Sequence, residues 1–291
     1  MKGAELKVTK VRIVTDSTAD LPAEIIEKYG LTVVPLKVMF GQEIYREGLE
    51  LNSRQFYEKL RAYPDLPTTS QPSPQEFVEA YRPLTEEGAS IISIHISASL
   101  SGTLQSARLA KTMLGYEDLE IIDSRLVSLA LGLVVLAAAE KALAGGTKEE
   151  VLEAARSVID HVAAYFLVDT LEYLQRGGRI GKAQAFLGSL LNIKPICTLR
   201  EGVIYPYEKV RGRARGIERL AEIVAEKFSS DTPVWCALVH GDDPGGLEEL
   251  KEKVQPKLNC SRLLTGEIGP VVGTHGGPGL LGVIVSPRVV S

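Results

Sequence analysis

Ser90-Ile91-Ile92-Ser93-Ile94-His95-Ile96, followed at once by Ser97-Ala98-Ser99-Leu100-Ser101-Gly102-Thr103, is the stretch that decides the fold. Its first half is rich in β-branched residues and predicts a strand buried on at least one face. Its second half is a run of hydroxyls, and it opens Leu104-Gln105-Ser106-Ala107-Arg108-Leu109-Ala110-Lys111-Thr112-Met113-Leu114. There, apolar residues recur three and four apart among good helix formers, so a helix is predicted. The first turn of a helix has unpartnered N–H groups and a partial positive charge, and it is a natural seat for an anion. Ser and Thr in that position also serve as plain caps. Both roles stay open for Ser101.

The same alternation extends on either side. Val11 to Asp16 predicts a strand and Ser17 to Asp20 a loop, with Asp20 capping a helix that carries Pro22 in its first turn and stops at Gly30. Leu31 to Phe40 reads as one strand and Ile44 to Glu47 as a short second one, before a helix capped by Asn52 or Ser53 that turns Phe56, Tyr57 and Leu60 inward. Pro64, Pro67, Pro72 and Pro74 hold the intervening loop extended. Ser73 caps a helix over Pro74 to Arg82. Leu119 to Asp123 predicts a strand, the apolar run Leu126 to Ala139 a buried helix, and Thr147 to Tyr165 a further helix. Strand and helix in turn argue a parallel sheet with right-handed crossovers, whose ligands sit beyond the carboxyl ends of the strands. Asp16-Ser17, Ser97 to Thr103 and Asp123-Ser124 all fall at such ends.

The second half has a different texture. Strands are predicted at Phe166–Val168, Lys194–Arg200, Gly202–Tyr207, Pro233–His240, Cys260–Ile268 and Gly282–Val285, with helices near 170–175, 182–191, 212–228 and 244–254. Glu201-Gly202 between two apolar runs reads as a hairpin turn. The fold class is therefore α/β in two domains: a Rossmann-like N-terminal α/β domain with a parallel sheet over 10–165, and a C-terminal α+β domain with a mixed sheet over 166–291.

Composition narrows the function. The 291 residues are 45% hydrophobic and 24% charged, ordinary for a globular chain with a sizeable core. A net charge of −4 speaks against coating nucleic acid, so anion recognition must be local. Cys197, Cys236 and Cys260 lie far apart in no metal spacing, which fits buried thiols in a reduced, cytoplasmic protein. Met1 to Lys7 has no apolar signal core, and the Leu126–Ala139 run falls short of the ~18 residues a transmembrane span needs. No Walker A sequence, Gly-x-Ser-x-Gly elbow, His-Glu-x-x-His or Cys-x-x-Cys occurs. Three positive features remain. They are the rigid hydroxyl loop Thr68-Thr69-Ser70-Gln71-Pro72, the turn Gly273-Thr274-His275-Gly276-Gly277-Pro278-Gly279, and the basic runs Arg176 to Lys182 and Lys209 to Arg215. Glycines around one histidine let backbone approach a ligand, and the ring can donate to an anion. Basic runs in a net-acidic chain suit an acidic partner or a phosphate.

Six blocks, in order and spanning nearly the whole chain, resemble the bacterial DegV family. They are Val14-Thr15-Asp16-Ser17-Thr18-Ala19-Asp20-Leu21, Thr69-Ser70-Gln71-Pro72, Leu100-Ser101-Gly102-Thr103, Ile122-Asp123-Ser124, Leu174-Gln175-Arg176-Gly177-Gly178-Arg179-Ile180 and His275-Gly276-Gly277-Pro278-Gly279. The resemblance implies one long-chain fatty acid, about C14 to C18, held between the two domains, its tail contributing about 0.8 kcal/mol per buried CH₂. It implies that Thr69 and Ser70, Ser101 and Gly102, and His275 and Gly276 hold the carboxylate, with Arg179 beside it. It further implies that Lys182, Arg211 and Arg213 face the kinase subunit of a fatty acid kinase, which would phosphorylate the acid, while the chain itself performs no covalent step and takes no cofactor or metal. Phe166, Leu167, Leu187, Leu190, Leu191, Ile193, Ile196 and Leu280 are candidates to line the tail. Two other readings of the same residues stand beside it. Ser101 with His275 as base would make an esterase or thioesterase, and glycines with hydroxyls would make a site for a phosphate-bearing ligand.

Overall fold

The computed structural model describes residues 10–188 and 192–287. Among the described residues three sheets are present. In the first, strands β1 (Val11–Asp16), β2 (Thr32–Val34), β6 (Ser90–His95) and β7 (Leu119–Asp123) run parallel in the order β2-β1-β6-β7. Every residue of β6 is buried, as a central parallel strand covered on both faces must be. Side chains alternate across it: Ile91 joins Phe77, Tyr81 and Ala107 of helices α3 (Pro74–Glu86) and α4 (Thr103–Leu114), while Ile92 and Ile94 face the other way. On that other face lies α5 (Leu129–Leu143), buried all round from Leu129 to Ala139. It packs on β1 and β6 and, on its far side, on β11 (Val234–His240) of the second domain. Its uniformly apolar sequence follows from lying between two sheets.

The second sheet has six strands in the order β10-β9-β8-β13-β11-β12. These are β8 (Ala163–Leu167), β9 (Ile193–Arg200), β10 (Val203–Arg211), β11, β12 (Cys260–Glu267) and β13 (Leu281–Pro287); β11 and β12 pair in parallel and the rest antiparallel. Glu201 and Gly202, both at positive φ, make the predicted hairpin between β9 and β10. Helices α8 (Arg213–Lys227) and α9 (Pro244–Val254) cover one face. The other face turns toward α5.

Several elements differ from the sequence reading, each for a local reason. The strand expected over Leu31 to Phe40 breaks at Pro35, which has no N–H for the ladder. Its second part, β3 (Lys37–Phe40), is the centre of a small antiparallel sheet with β4 (Glu43–Arg46) and β5 (Thr68–Ser70). The supposed proline-held loop thus carries a strand, and Thr69 is fixed opposite Val38. Asp20 does not cap α1 (Ala23–Tyr29); Pro22 occupies that position, and the Asp20 carboxylate accepts from Ser128 and Gly269 instead. Helix α2 (Ser53–Ala62) is capped by Asn52 in a full capping box. Helix α3 passes Arg82 and ends at Glu86, with Pro83 inside it. Helix α6 (Lys148–His161) ends before the expected Tyr165, because Val162 turns extended and the apolar run beyond it enters β8. Sheet membership therefore places Ala163 to Tyr165 with the second domain, and a division at 165/166 would cut a strand. The helix expected near 170–175 is α7 (Glu172–Arg176), and that expected over 182–191 is a run of 3-10 turns over Gly181–Phe186; its part from 189 to 191 lies outside the described residues. The glycine-rich stretch near the C-terminus is a short helix rather than a turn, α10 (Pro270–Gly276). Among the described residues no helix is long and apolar enough to cross a membrane.

Candidate ligand-binding site

Between the two domains lies a cleft of about 980 Å³ of empty space counted out to its open mouth. Its walls come from both domains: Leu36, Ile96 and Leu100 on one side, Phe166, Leu199 and Ile284 on the other. A large, mainly apolar cavity with a few convergent polar groups is the usual form of a small-molecule site. Here those polar groups are Thr69, Ser70, Gln71, Ser101, Ser128, Arg179 and His275. Blocks that are distant in sequence meet at the carboxyl end of β6, where an α/β sheet is expected to receive its ligand.

The closest meeting is direct. Thr69 Oγ1 and His275 Nε2 are 2.8 Å apart across 206 positions of sequence. The imidazole's Nδ1 is buried and has no hydrogen-bond partner, because it lies against Gly177, where any Cβ would collide with it. Burial, with positive Arg179 as the second cause, pulls this histidine down to about 4 from its ordinary 6.5, so the ring is neutral near pH 7. A neutral ring has one N–H, and a buried N–H without a partner is costlier than a bare ring nitrogen. The proton therefore belongs on Nε2, donating to Thr69, and the Thr69 hydroxyl keeps its own proton for the cavity.

Arg179 supplies the positive charge. Its Nε donates to Leu100 O at 3.0 Å and one terminal nitrogen to Gly177 O at 2.7 Å. The guanidinium thus ties the loop after β6 to the turn that backs the histidine. Ser101 precedes Gly102, the N-cap of α4, rather than capping the helix itself: its Oγ accepts from Thr103 N at 3.3 Å, pairs with Thr103 Oγ1 at 2.9 Å, and lines the cleft at the positive end of α4. Ser70 and Gly276 also line it. Gly102 stands behind the wall, where a Cβ would lie 2.9 Å from Gln71 Nε2; its lack of a side chain lets Gln71 close over the motif. Among the described residues no hydrogen bond joins Ser101 to His275, and no carboxylate orients the ring.

Of the residues expected to line a tail, Phe166 and Leu280 do so. Leu167 and Ile196 point to the opposite face of their sheet and pack under α8, as strand alternation requires. Leu187 packs against the central core and Ile193 is half-buried on β9, neither in the cleft wall. Leu190 and Leu191 lie outside the described residues. Among the basic residues, Lys182 and Arg211 are exposed, whereas Arg213 is committed to ion pairs with Asp169 and Asp243. Lys182 follows Gly181, which sits against Ile204 near the start of edge strand β10, and Arg211 ends that strand seven residues beyond Ile204, about 23 Å on at 3.3 Å per residue. Sequence reasoning passed over Ser128, a lining hydroxyl that no motif marked. Among the described residues no group of three or more His, Cys, Asp or Glu could hold a metal ion.

Fold and site define a two-domain α/β protein with a mainly apolar interdomain cleft into which Thr69, Ser101, Arg179 and His275 bring polar groups. The chain belongs to the DegV family: the model of that family, described as "Uncharacterised protein, DegV family", matches residues 10–288. A DegV domain-containing protein of Streptomyces coelicolor is 44% identical over 280 residues, covering 96% of this chain and 99% of its own. Among solved structures, a fatty-acid-binding DegV family protein from Thermus thermophilus superposes with a TM-score of 0.91 at 36% identity, covering 96% of this chain and all of its own. DegV of Bacillus subtilis, described as a fatty acid binding protein, gives 0.86 at 37% with coverage of 96% and 100%.

The depressed histidine has a measurable consequence. Between pH 6.5 and 4 the unfolded chain binds a proton that the folded site refuses, so this contribution to stability is whole above 6.5 and is lost as pH falls toward 4. His275→Gln should therefore lose less stability than the parent between pH 7 and pH 5, measured by urea unfolding at both values. Equal losses in the two proteins would contradict the neutral, buried ring.

Proposed function

We propose that the chain is a carrier of one long-chain fatty acid, held with its carboxylate at Thr69, Ser101 and Arg179 and its tail along the apolar cleft. The observation that carries this reading is the cleft itself: apolar along most of its wall and bounded at one end by hydroxyls and a guanidinium, with a neutral imidazole behind them. A carboxylate leaving water keeps its charge only where charge-assisted hydrogen bonds replace hydration. The Thr69 and Ser101 hydroxyls and the uncommitted N–H groups of Arg179 are donors of that kind. Each buried methylene contributes about 0.8 kcal/mol, so a tail of about C14 to C18 offsets the cost of association. The fatty-acid-binding relatives from Thermus thermophilus and Bacillus subtilis support the same ligand class.

The carrier does no chemistry of its own in this reading. An esterase would need Ser101 activated by His275 and the ring oriented by an acid, but Ser101 is turned to Thr103 and Nδ1 of the ring is unpartnered. The chemistry falls to a kinase subunit, to which the polar end of the cleft presents the acid for acyl-phosphate formation. Exposed Lys182, on the 3-10 run beside the start of edge strand β10, and exposed Arg211, at that strand's end, form the docking side. Arg213 instead anchors the start of α8 to the domain's own carboxylates.

Two measurements test the two halves of the proposal. Ser101→Ala should weaken binding of the free acid by about 1–3 kcal/mol and that of its methyl ester much less; equal losses would remove Ser101 from the head-group site. Arg211→Glu should leave acid binding intact while abolishing acyl-phosphate formation by a matching kinase subunit at subsaturating carrier. An unchanged phosphorylation rate would contradict the assigned docking side.

A further inference from the structure

Helix α10 belongs to the second domain, yet its start is held by two carboxylates of the first. Asp20 Oδ1 accepts from Gly269 N at 3.1 Å, and Glu47 Oε1 accepts from Val271 N at 2.7 Å. Gly269 runs between them: a Cβ there would lie 2.6 Å from Glu47 Oε1 and 2.8 Å from Asp20 Oδ1. The other Asp20 oxygen accepts from Ser128 Oγ at 2.6 Å. Ser128 lines the ligand cleft at φ 56°, ψ −151°, a conformation that residues other than glycine rarely hold. Glu47 is 5% exposed, and its Oε2 is buried without a partner. Burial raises both acids, Glu47 to about 7, and the charged groups acting on them are further acids, Asp16 among them. Two carboxyls so close in a buried setting share a proton rather than keep two charges.

The second link is helical geometry. Val271 and His275 are four residues apart, hence on one stripe of α10, and both line the cleft. The N–H that Glu47 holds is therefore one turn above the ring that meets Thr69. Beyond these bonds and the one between His275 and Thr69, the helix is seated by close contact, most tightly at Gly273, where a Cβ would lie 2.8 Å from Phe56 and from the Tyr57 hydroxyl. We infer that Asp20 and Glu47 are positioning residues for the head-group site: by fixing Gly269 and Val271 they set α10, and through it the height of His275 against Thr69. The ligand in this inference comes from the carrier reading, whereas the placement of the ring does not depend on it.

The test compares Glu47→Ala, Glu47→Gln and Gly269→Ala in the full chain, by titration with hexadecanoic acid and its methyl ester and by ¹⁵N NMR of the histidine rings. Glu47→Ala removes the acceptor, and Gly269→Ala forces the two carboxyls apart. Both should raise the dissociation constant of the acid about tenfold, change that of the ester by less than about twofold, and shift the His275 ring signals. Glu47→Gln keeps an amide oxygen for Val271 and should restore most of the loss. Parallel weakening of acid and ester, or ring signals in the folded variants that coincide with the parent's, would overturn the inference. If Glu47→Ala does not fold, Gly269→Ala carries the same comparison. Should the parent bind neither ligand, the carrier reading fails, and the ring signals still decide whether the carboxyl pair positions His275.

Discussion

Thr69 and His275 meet across 206 positions of sequence, and much of the architecture exists to hold them at hydrogen-bond distance. Thr69 keeps its place because β5 pairs with β3 in a sheet separate from the main one. His275 keeps its place on a two-turn helix whose start is gripped by acids from the other domain. Behind the ring, Gly177 leaves just enough room for Nδ1, and Arg179, two residues on, ties that turn back to Leu100. The bond crosses the domain boundary, so the two domains must be docked before the polar end of the cleft exists.

The chemistry of that end follows from keeping the imidazole neutral. A charged ring beside Arg179 would repel it and would have to be buried without a counter-ion, and both costs push the proton off. What remains is a donor chain in which His275 serves Thr69 and Thr69 serves the cavity, while the fixed positive charge rests on an arginine that cannot lose it. The apolar wall supplies binding energy without direction. In the carrier reading, the few donors beside it would supply direction and a preference for an acid over its uncharged analogues.

Much of this was legible in the sequence, and the failures share a cause. The parallel sheet, the buried α5 and the six-stranded second sheet were readable because long apolar runs and hairpin signals are local properties of the chain. Thr69, Ser101, Arg179 and His275 stand in short, unusual blocks, and the structure brings all four to the wall of one cleft. The misreadings arose where tertiary contact overrides local signal. Asp20 looks like a helix cap, but its carboxylate is drawn to Ser128 and Gly269, more than 100 positions away. Gly273 and Gly276 look like turn residues, but they lie in a helix whose small residues let it approach Tyr57 and Leu280. Leu167 and Ile196 look like tail-lining residues, yet a strand sends neighbouring side chains to opposite faces and theirs point away. Arg213 looks like part of a docking face, but Asp169 and Asp243 claim it.

The central claim is that the interdomain cleft holds the hydrocarbon tail of a free acid. It is tested most directly by weighing what the protein carries. Native mass spectrometry of the purified chain, followed by solvent extraction and mass analysis of the released material, should show about one equivalent of an unesterified acid of roughly C14 to C18, as the ~0.8 kcal/mol per buried methylene favours. Release of a phosphorylated ligand, or an empty cleft even after incubation with excess hexadecanoic acid, would contradict it.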